Sequence, residues 1–244
     1  GWDTSKVEDM SGMFDGISEL ADISVIASWN TSKVTDMEDM FSGTAVANVD
    51  ALERKQHEGK SYVSWDVSHV KKMWGLFSNT YSLTDISALA SWDVSSVEDM
   101  RSVFDGATSL VDISPLATWN IASVTNMKQM FSRTAITNFG ALETKRHEGK
   151  SFVSWDMSGV VYMNGMFSNA TSLSDISALA SWSTSSATSM GSMFSYTGIS
   201  DVNALAGWNV SSVDYVAKMF EGATSLSDVS GIFGWTLSSD TFEY

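Results

Sequence analysis

Two segments hold the densest chemistry in the sequence. ALERKQHEGKSYVSW (51–65) and ALETKRHEGKSFVSW (141–155) lie 90 residues apart; one carries Arg54, Lys55, His57 and Lys60, the other Lys145, Arg146, His147 and Lys150. Clustered guanidinium and ammonium groups bind carboxylate, sulfate or sialate, arginine through a planar two-pronged contact and lysine as a point charge. The two segments contain six of the fourteen basic residues and two of the three histidines, on a chain with 29 Asp and Glu and a formal charge of −15. They therefore read as a local reversal of charge fit for acidic groups of a glycan or glycoprotein. The plainer reading is a solvated helical excursion over 53–64 and 143–154, with Glu53 and Lys60 as helix-end charges.

Catalysis has little to work with. His57-Glu58 and His147-Glu148 lack the second histidine of a zinc-hydrolase helix. Serines abound, but at repeated positions, with no base belonging to any one of them. The absence of cysteine removes disulfides, thiolate metal sites and thiol nucleophiles together. The expectation is a protein without enzymatic activity, catalytic residues or a dedicated metal site.

Three further features are candidates. Asp66, Asp93, Asn120 and Asp156 each follow a tryptophan and should point outward, stacking into a polar row suited to sugar hydroxyls or merely to solubility. A second row, Asp22, Asn48, Asp85, Asp112, Asn138, Asp175, Asp201 and Asp228, precedes an apolar residue in every repeat. Its carboxylates could take calcium, but Asn replaces Asp in two of them, and capping of a local turn explains the row more simply. Trp74 stands out of register with the other tryptophans, either as an exposed aromatic platform for a sugar or as local packing.

What must position these groups is a repeat. Tryptophans fall at 2, 29, 65, 92, 119, 155, 182, 208 and 235, and a phenylalanine follows each of the first eight by twelve residues, at 14, 41, 77, 104, 131, 167, 194 and 220. Between them runs W-[DN]-x-S-x-V-x-x-M-x-x-M-F, whose two Met positions hold all of the fourteen methionines except Met157. A larger unit of three coils repeats every 90 residues, starting near 2, 92 and 182. Trp-x-Val alternates as a short strand does, predicting a parallel sheet of strands at W-x-[VT]-S. Val97, Met100, Val103 and Phe104 recur at helical spacing, predicting short helices or 3₁₀ turns at V-x-x-M-x-x-M-F. A return segment L-x-D-I-S-x-L closes each coil. The fold class is thus an α/β repeat, a single solenoid over 1–244 of about eight coils that must stack to bury their apolar edges. The chain opens inside one repeat and ends inside another, so we expect a segment excised from a longer protein.

The residues WDTSKVEDMSGMF (2–14), WNTSKVTDMEDMF (29–41) and WDVSSVEDMRSVF (92–104) resemble the BspA-like leucine-rich repeats of bacterial surface proteins. The likeness is to the tryptophan-containing variant found in mycoplasma lipoproteins and lactobacillus adhesins, and it extends over essentially the whole chain. It implies a leucine-rich-repeat solenoid displayed outside the cell and an adhesive role toward host mucin, extracellular-matrix glycoprotein or other cells.

Net charge argues against nucleic acid as a partner, and no apolar run approaches the roughly 20 residues that span a bilayer. We therefore expect an extracellular, monomeric segment, attached to the cell through parts beyond this chain and itself touching no membrane. It would bind mucus or matrix glycans through the basic insertions and the outward row, with no cofactor beyond a calcium ion at the second row. The alternative is a stalk that displays another binding domain. A third reading, ice or mineral binding by a hydroxyl grid, is weakened by the Asp and Asn that interrupt the hydroxyls.

Overall fold

A computed structural model describes residues 2–56, 63–140, 145–147, 150–152 and 155–238. Coils 1 to 8 begin at Trp2, Trp29, Trp65, Trp92, Trp119, Trp155, Trp182 and Trp208. Their repeated apolar residues form one continuous core. Trp65, Trp119, Phe41, Phe77, Phe104, Phe131, Phe167 and Phe194 are fully buried, as are Met37, Met40, Met127 and Met130. Met157, outside the two methionine positions, is buried as well. The phenylalanines stack coil on coil from Phe14 to Phe220, with ring centroids 5.4–6.2 Å apart.

The backbone path differs from the expected strand and helix, and hydrogen bonding shows why. At W-x-[VT]-S no strand forms among the described residues. The Asx side chain after the tryptophan accepts the N–H two residues on, as Asp3 does from Ser5, Asp66 from Ser68 and Asp93 from Ser95. This bends the chain while leaving Trp and Val inward, so an alternation typical of a strand arises from a turn. Where Thr replaces Val, the buried hydroxyl finds a neighbouring coil: Thr31 donates to the Asp66 carbonyl and Thr184 to that of Asn209.

Nor does V-x-x-M-x-x-M-F form a helix. In coil 1 the N–H groups of Met10, Gly12, Phe14 and Gly16 donate to the carbonyls of Asp36, Glu38, Met40 and Ser42 in coil 2, while Met13 and Asp15 bond three residues back within their own coil. The same alternation recurs along the chain, as in Met37, Asp39, Phe41 and Gly43 onto coil 3. A helix would satisfy these donors internally. Instead the segment is a staircase of linked turns, and each step needs a left-handed residue. Two such residues occur in every coil, at the tenth and fourteenth positions after the tryptophan, from Gly12 and Gly16 to Lys218 and Gly222. The apolar spacing of three and four comes from the turns.

The expected parallel sheet contracts to a ladder one residue wide, and it lies elsewhere. Asp9, Asp36, Lys72, Asp99, Asn126, Tyr162, Ser189 and Tyr215 form consecutive parallel bridges, one residue from each coil. A second, partial ladder joins Asn48 to Asp85, Asn138 to Asp175 and Asp201 to Asp228 in the return segments. Short 3₁₀ turns close the coils, among them Ser24–Ile26, Asp50–Leu52, Ser87–Ser91, Ser114–Thr118 and Ser177–Ser181. The tryptophan of a later coil locks onto this closure, its indole N–H donating to a carbonyl such as Ile26 (from Trp65), Leu89 (from Trp119) or Leu116 (from Trp155).

Among the described residues of the insertions the chain is extended and paired, not helical. β1 (Lys55–Gln56) pairs antiparallel with β2 (Val63–Ser64), and β3 (Lys145–His147) pairs with β4 (Lys150–Phe152). The described residues of each insertion thus pair with one another across the excursion.

Candidate functional site

The first hairpin leaves the solenoid beside the outward Asx row. At its base the Arg54 N–H donates to Ser91 Oγ at 2.9 Å, and the guanidinium lies 3.8 Å from Asp66 Oδ1. The same guanidinium adds to the lowering of the Asp93 carboxyl, which is set first by the hydrogen bond from Ser95. The first basic hairpin and the polar row thus occupy one edge. Lys55 lies on β1, Lys145, Arg146 and His147 on β3, and Lys150 on β4; His147 is the register partner of Lys150. His57 and Lys60 lie outside the described residues.

The row itself has a structural duty. Asp66, Asp93, Asn120 and Asp156 each use Oδ1 to accept a backbone N–H, from Ser68, Ser95, Ala122 and Ser158. Asp156 is held below the ordinary carboxylate range chiefly by its bond from Ser158. One side-chain oxygen of each therefore fastens its own corner, and the Asp66 side chain is largely covered. The second Asx row behaves alike in every coil, from Asp22 accepting the Ser24 N–H to Asp228 accepting that of Ser230. No group of three or more carboxylate or imidazole residues is arranged to hold a metal ion among the described residues.

A different side of the solenoid carries the turn staircase and four aromatic residues. Trp74 is half-buried, and the Arg101 guanidinium caps one face of its ring at 5.0 Å. Lys128 Nζ caps Tyr162 in the same way at 4.9 Å. Tyr196 and Tyr215 are about half exposed, at 46% and 50%. From Lys128 to Tyr215 the surface sinks into an open groove of about 390 Å³, walled by Lys128, Gln129, Asn164, Ser168, Ser192 and Tyr215 over Gly165 and Gly191. The ninth residue after the tryptophan is large in coils 2 to 5 (Glu38, Trp74, Arg101, Lys128), Asn164 in coil 6, and small at Gly191 and Ala217, which leaves room for the groove. The Tyr215 ring lies directly on Gly191, where a Cβ would overlap it.

Formal charge is sparse in the two middle coils of the groove, while Lys128 stands on its wall and Lys218 of the next coil pairs with Glu221. Between Trp155 and Gly207 the charged residues are Asp156, Asp175 and Asp201. The opposite end of the same side is acidic, with Asp9, Asp15, Asp36, Glu38 and Asp39. There burial, then the charges of Asp15 and Glu38, push the Asp39 carboxyl up to about 6, against the pull of Arg101. Lys72 meets Asp36 at 3.0 Å and Glu38 at 3.6 Å, and the Asp36 hydrogen bond first of all raises its ammonium.

Sequence reasoning missed Tyr162, Asn164 and Tyr215. The signal was present, since Tyr162 and Tyr215 occupy a position held by Asp or Asn in coils 1, 2, 4 and 5.

Comparison with known proteins adds a family and a distant structure. The model of the family described as "Mycoplasma protein of unknown function, DUF285" matches residues 1–53, 51–148 and 136–241. Among solved structures, an internalin (inlF) from Listeria monocytogenes str. 4b F2365 aligns over 92% of this chain at 14% identity and a TM-score of 0.39. The chain spans 66% of that protein's length. No curated protein matches the chain.

Proposed function

The chain belongs to the DUF285 family of mycoplasma proteins, and we propose that within it this solenoid is a noncatalytic binding segment displayed at the bacterial surface, taking host mucin or matrix glycoproteins. The observation that carries this reading is the shared edge. Arg54 at the base of the first hairpin lies beside Asp66 and Asp93, which supports one edge offering a cation and a row of fixed polar groups to a ligand. Acidic sugars need both, a cation for the sulfate or carboxylate and short acceptors for the hydroxyls. Rigid stacking suits such a site, because the row is set by backbone geometry and loses little freedom on binding. The second hairpin repeats the chemistry three coils on, and two linked contacts raise avidity without new interactions.

The test is binding of immobilised mucin by the intact chain and by a variant in which 55–64 and 145–154 are replaced with short turns. The expected result is a loss of at least tenfold, together with a steep weakening of the intact protein in raised salt. Equal binding by both would discard the hairpins as a site. The stalk reading draws on the unbroken phenylalanine stack, which makes the solenoid stiff along its axis. It predicts no mucin binding by either protein.

A further inference from the structure

We infer that the groove between Lys128 and Tyr215 is a second, separate binding site, one that takes a neutral sugar ring stacked on Tyr215. For its ligand class the inference rests on the glycan-binding reading, but it uses a different side of the solenoid and none of the hairpin residues.

Four observations point to this chemistry. The groove, at about 390 Å³, is an open concavity on the staircase side of the solenoid. This size falls within the range of small-molecule sites, roughly 300–1,000 Å³. Its walls offer neutral hydrogen-bonding groups, the amides of Gln129 and Asn164 and the hydroxyls of Ser168 and Ser192. They suit a ligand covered in hydroxyls and repay no charge. An aromatic ring completes the site: Tyr215 is 50% exposed and seated on Gly191, which fixes the ring while leaving its outer face open. A pyranose presents a patch of C–H bonds on one face, which packs on such a ring.

The fourth observation is an unmet acceptor. Asn164 donates through Nδ2 to Ser189 Oγ, but its Oδ1 is covered and has no partner among the described residues. An acceptor left this way costs about 1–3 kcal/mol. Because Asn164 lines the groove, turning its amide would bring this acceptor to a sugar hydroxyl. The one ammonium on the wall, Lys128, is engaged over the Tyr162 ring, so the site has no free cation aimed at an anionic sugar.

The experiment is a titration of the full chain with galactose, mannose, N-acetylglucosamine and, separately, sialic acid, followed by amide chemical shifts. We expect at least one neutral sugar to give saturable shifts at Gly165, Gly191, Ser192 and Tyr215. Tyr215→Ala should weaken this at least tenfold and Tyr215→Phe should retain it, with thermal unfolding of both variants unchanged as the check on folding. The variant lacking both hairpins should bind the neutral sugar as the intact chain does. No groove shifts with any neutral sugar, or shifts with sialic acid alone, would overturn the inference. Either result would leave mucin binding through the hairpins to stand or fall on its own assay.

Discussion

Substitution at Ser102 separates a turn staircase from a helix, because the two backbones predict opposite signs. Ser102 has φ of 55°, donates its N–H to the Lys128 carbonyl of coil 5 and accepts from the Asp105 N–H. In a left-handed conformation a residue with a Cβ is strained by roughly 1–2 kcal/mol, a strain glycine escapes. Against this, glycine loses more backbone freedom on folding, about 0.5–1 kcal/mol. Ser102→Gly should therefore stabilise the protein by about 0.5–1 kcal/mol, and Ser102→Ala should be neutral or slightly destabilising. On a helix the ranking inverts: Ser→Ala gains about 0.5 kcal/mol and Ser→Gly loses about as much. Thermal unfolding by circular dichroism reads the difference, since about 1 kcal/mol moves the midpoint by about 2–4 °C in a chain of this size. A midpoint raised by alanine and lowered by glycine would refute the staircase.

Three other perturbations test the packing and charge. Phe104→Ala, at the middle of the ring stack with neighbours at 5.8 and 5.9 Å, should cost about 3–5 kcal/mol and split the unfolding curve in two, since coils on either side lose their coupling. Arg133 pairs its Nε and Nη2 with the buried Asp105 carboxylate at 3.0 and 2.9 Å and reaches Asn79 two coils away. Arg133→Ala should lose about 1–3 kcal/mol in urea unfolding, and the loss should largely disappear when Asp105→Ala is made as well. Asp39 titrates near 6 when folded, above its unfolded value, so the folded state holds the extra proton and stability falls as pH rises from about 4 to 6. Asp39→Asn should raise the unfolding midpoint at pH 7 and leave it nearly unchanged at pH 4. The hydrogen-bonded carboxylates Asp93 and Asp156 act in the other direction, their contribution being lost as pH falls below the ordinary carboxylate range.

The core was legible because burial follows residue type at repeated positions. Trp65, Met100, Phe104 and Val124 are inside as their spacing requires. The backbone path was not, since spacings of two and of three and four belong to Asx turns and linked β-turns as well as to strands and helices. Glycine held a clue: Gly12, Gly16, Gly43, Gly75, Gly106, Gly165 and Gly222 fall in only two rows, both left-handed. Ser102, Gln129, Arg133, Tyr196 and Lys218 occupy the same rows and hide the pattern. The hairpin residues could be singled out because an insertion breaks the period. The groove could not, because it arises from a coincidence of small and aromatic residues in three rows, visible only when the coils are stacked.

The staircase has a mechanical consequence. Its main-chain bonds from Met10, Gly12, Phe14 and Gly16 run from one coil to the next, along the axis of the solenoid. Tension between the two ends therefore loads each inter-coil junction in series, and the weakest junction opens before its neighbours. A freed coil of ordinary length releases roughly 90 Å of slack and one bearing a hairpin roughly 120 Å, at about 3.4 Å per extended residue. Pulled between its ends, the solenoid should lengthen stepwise under load and rewind coil by coil when the load drops.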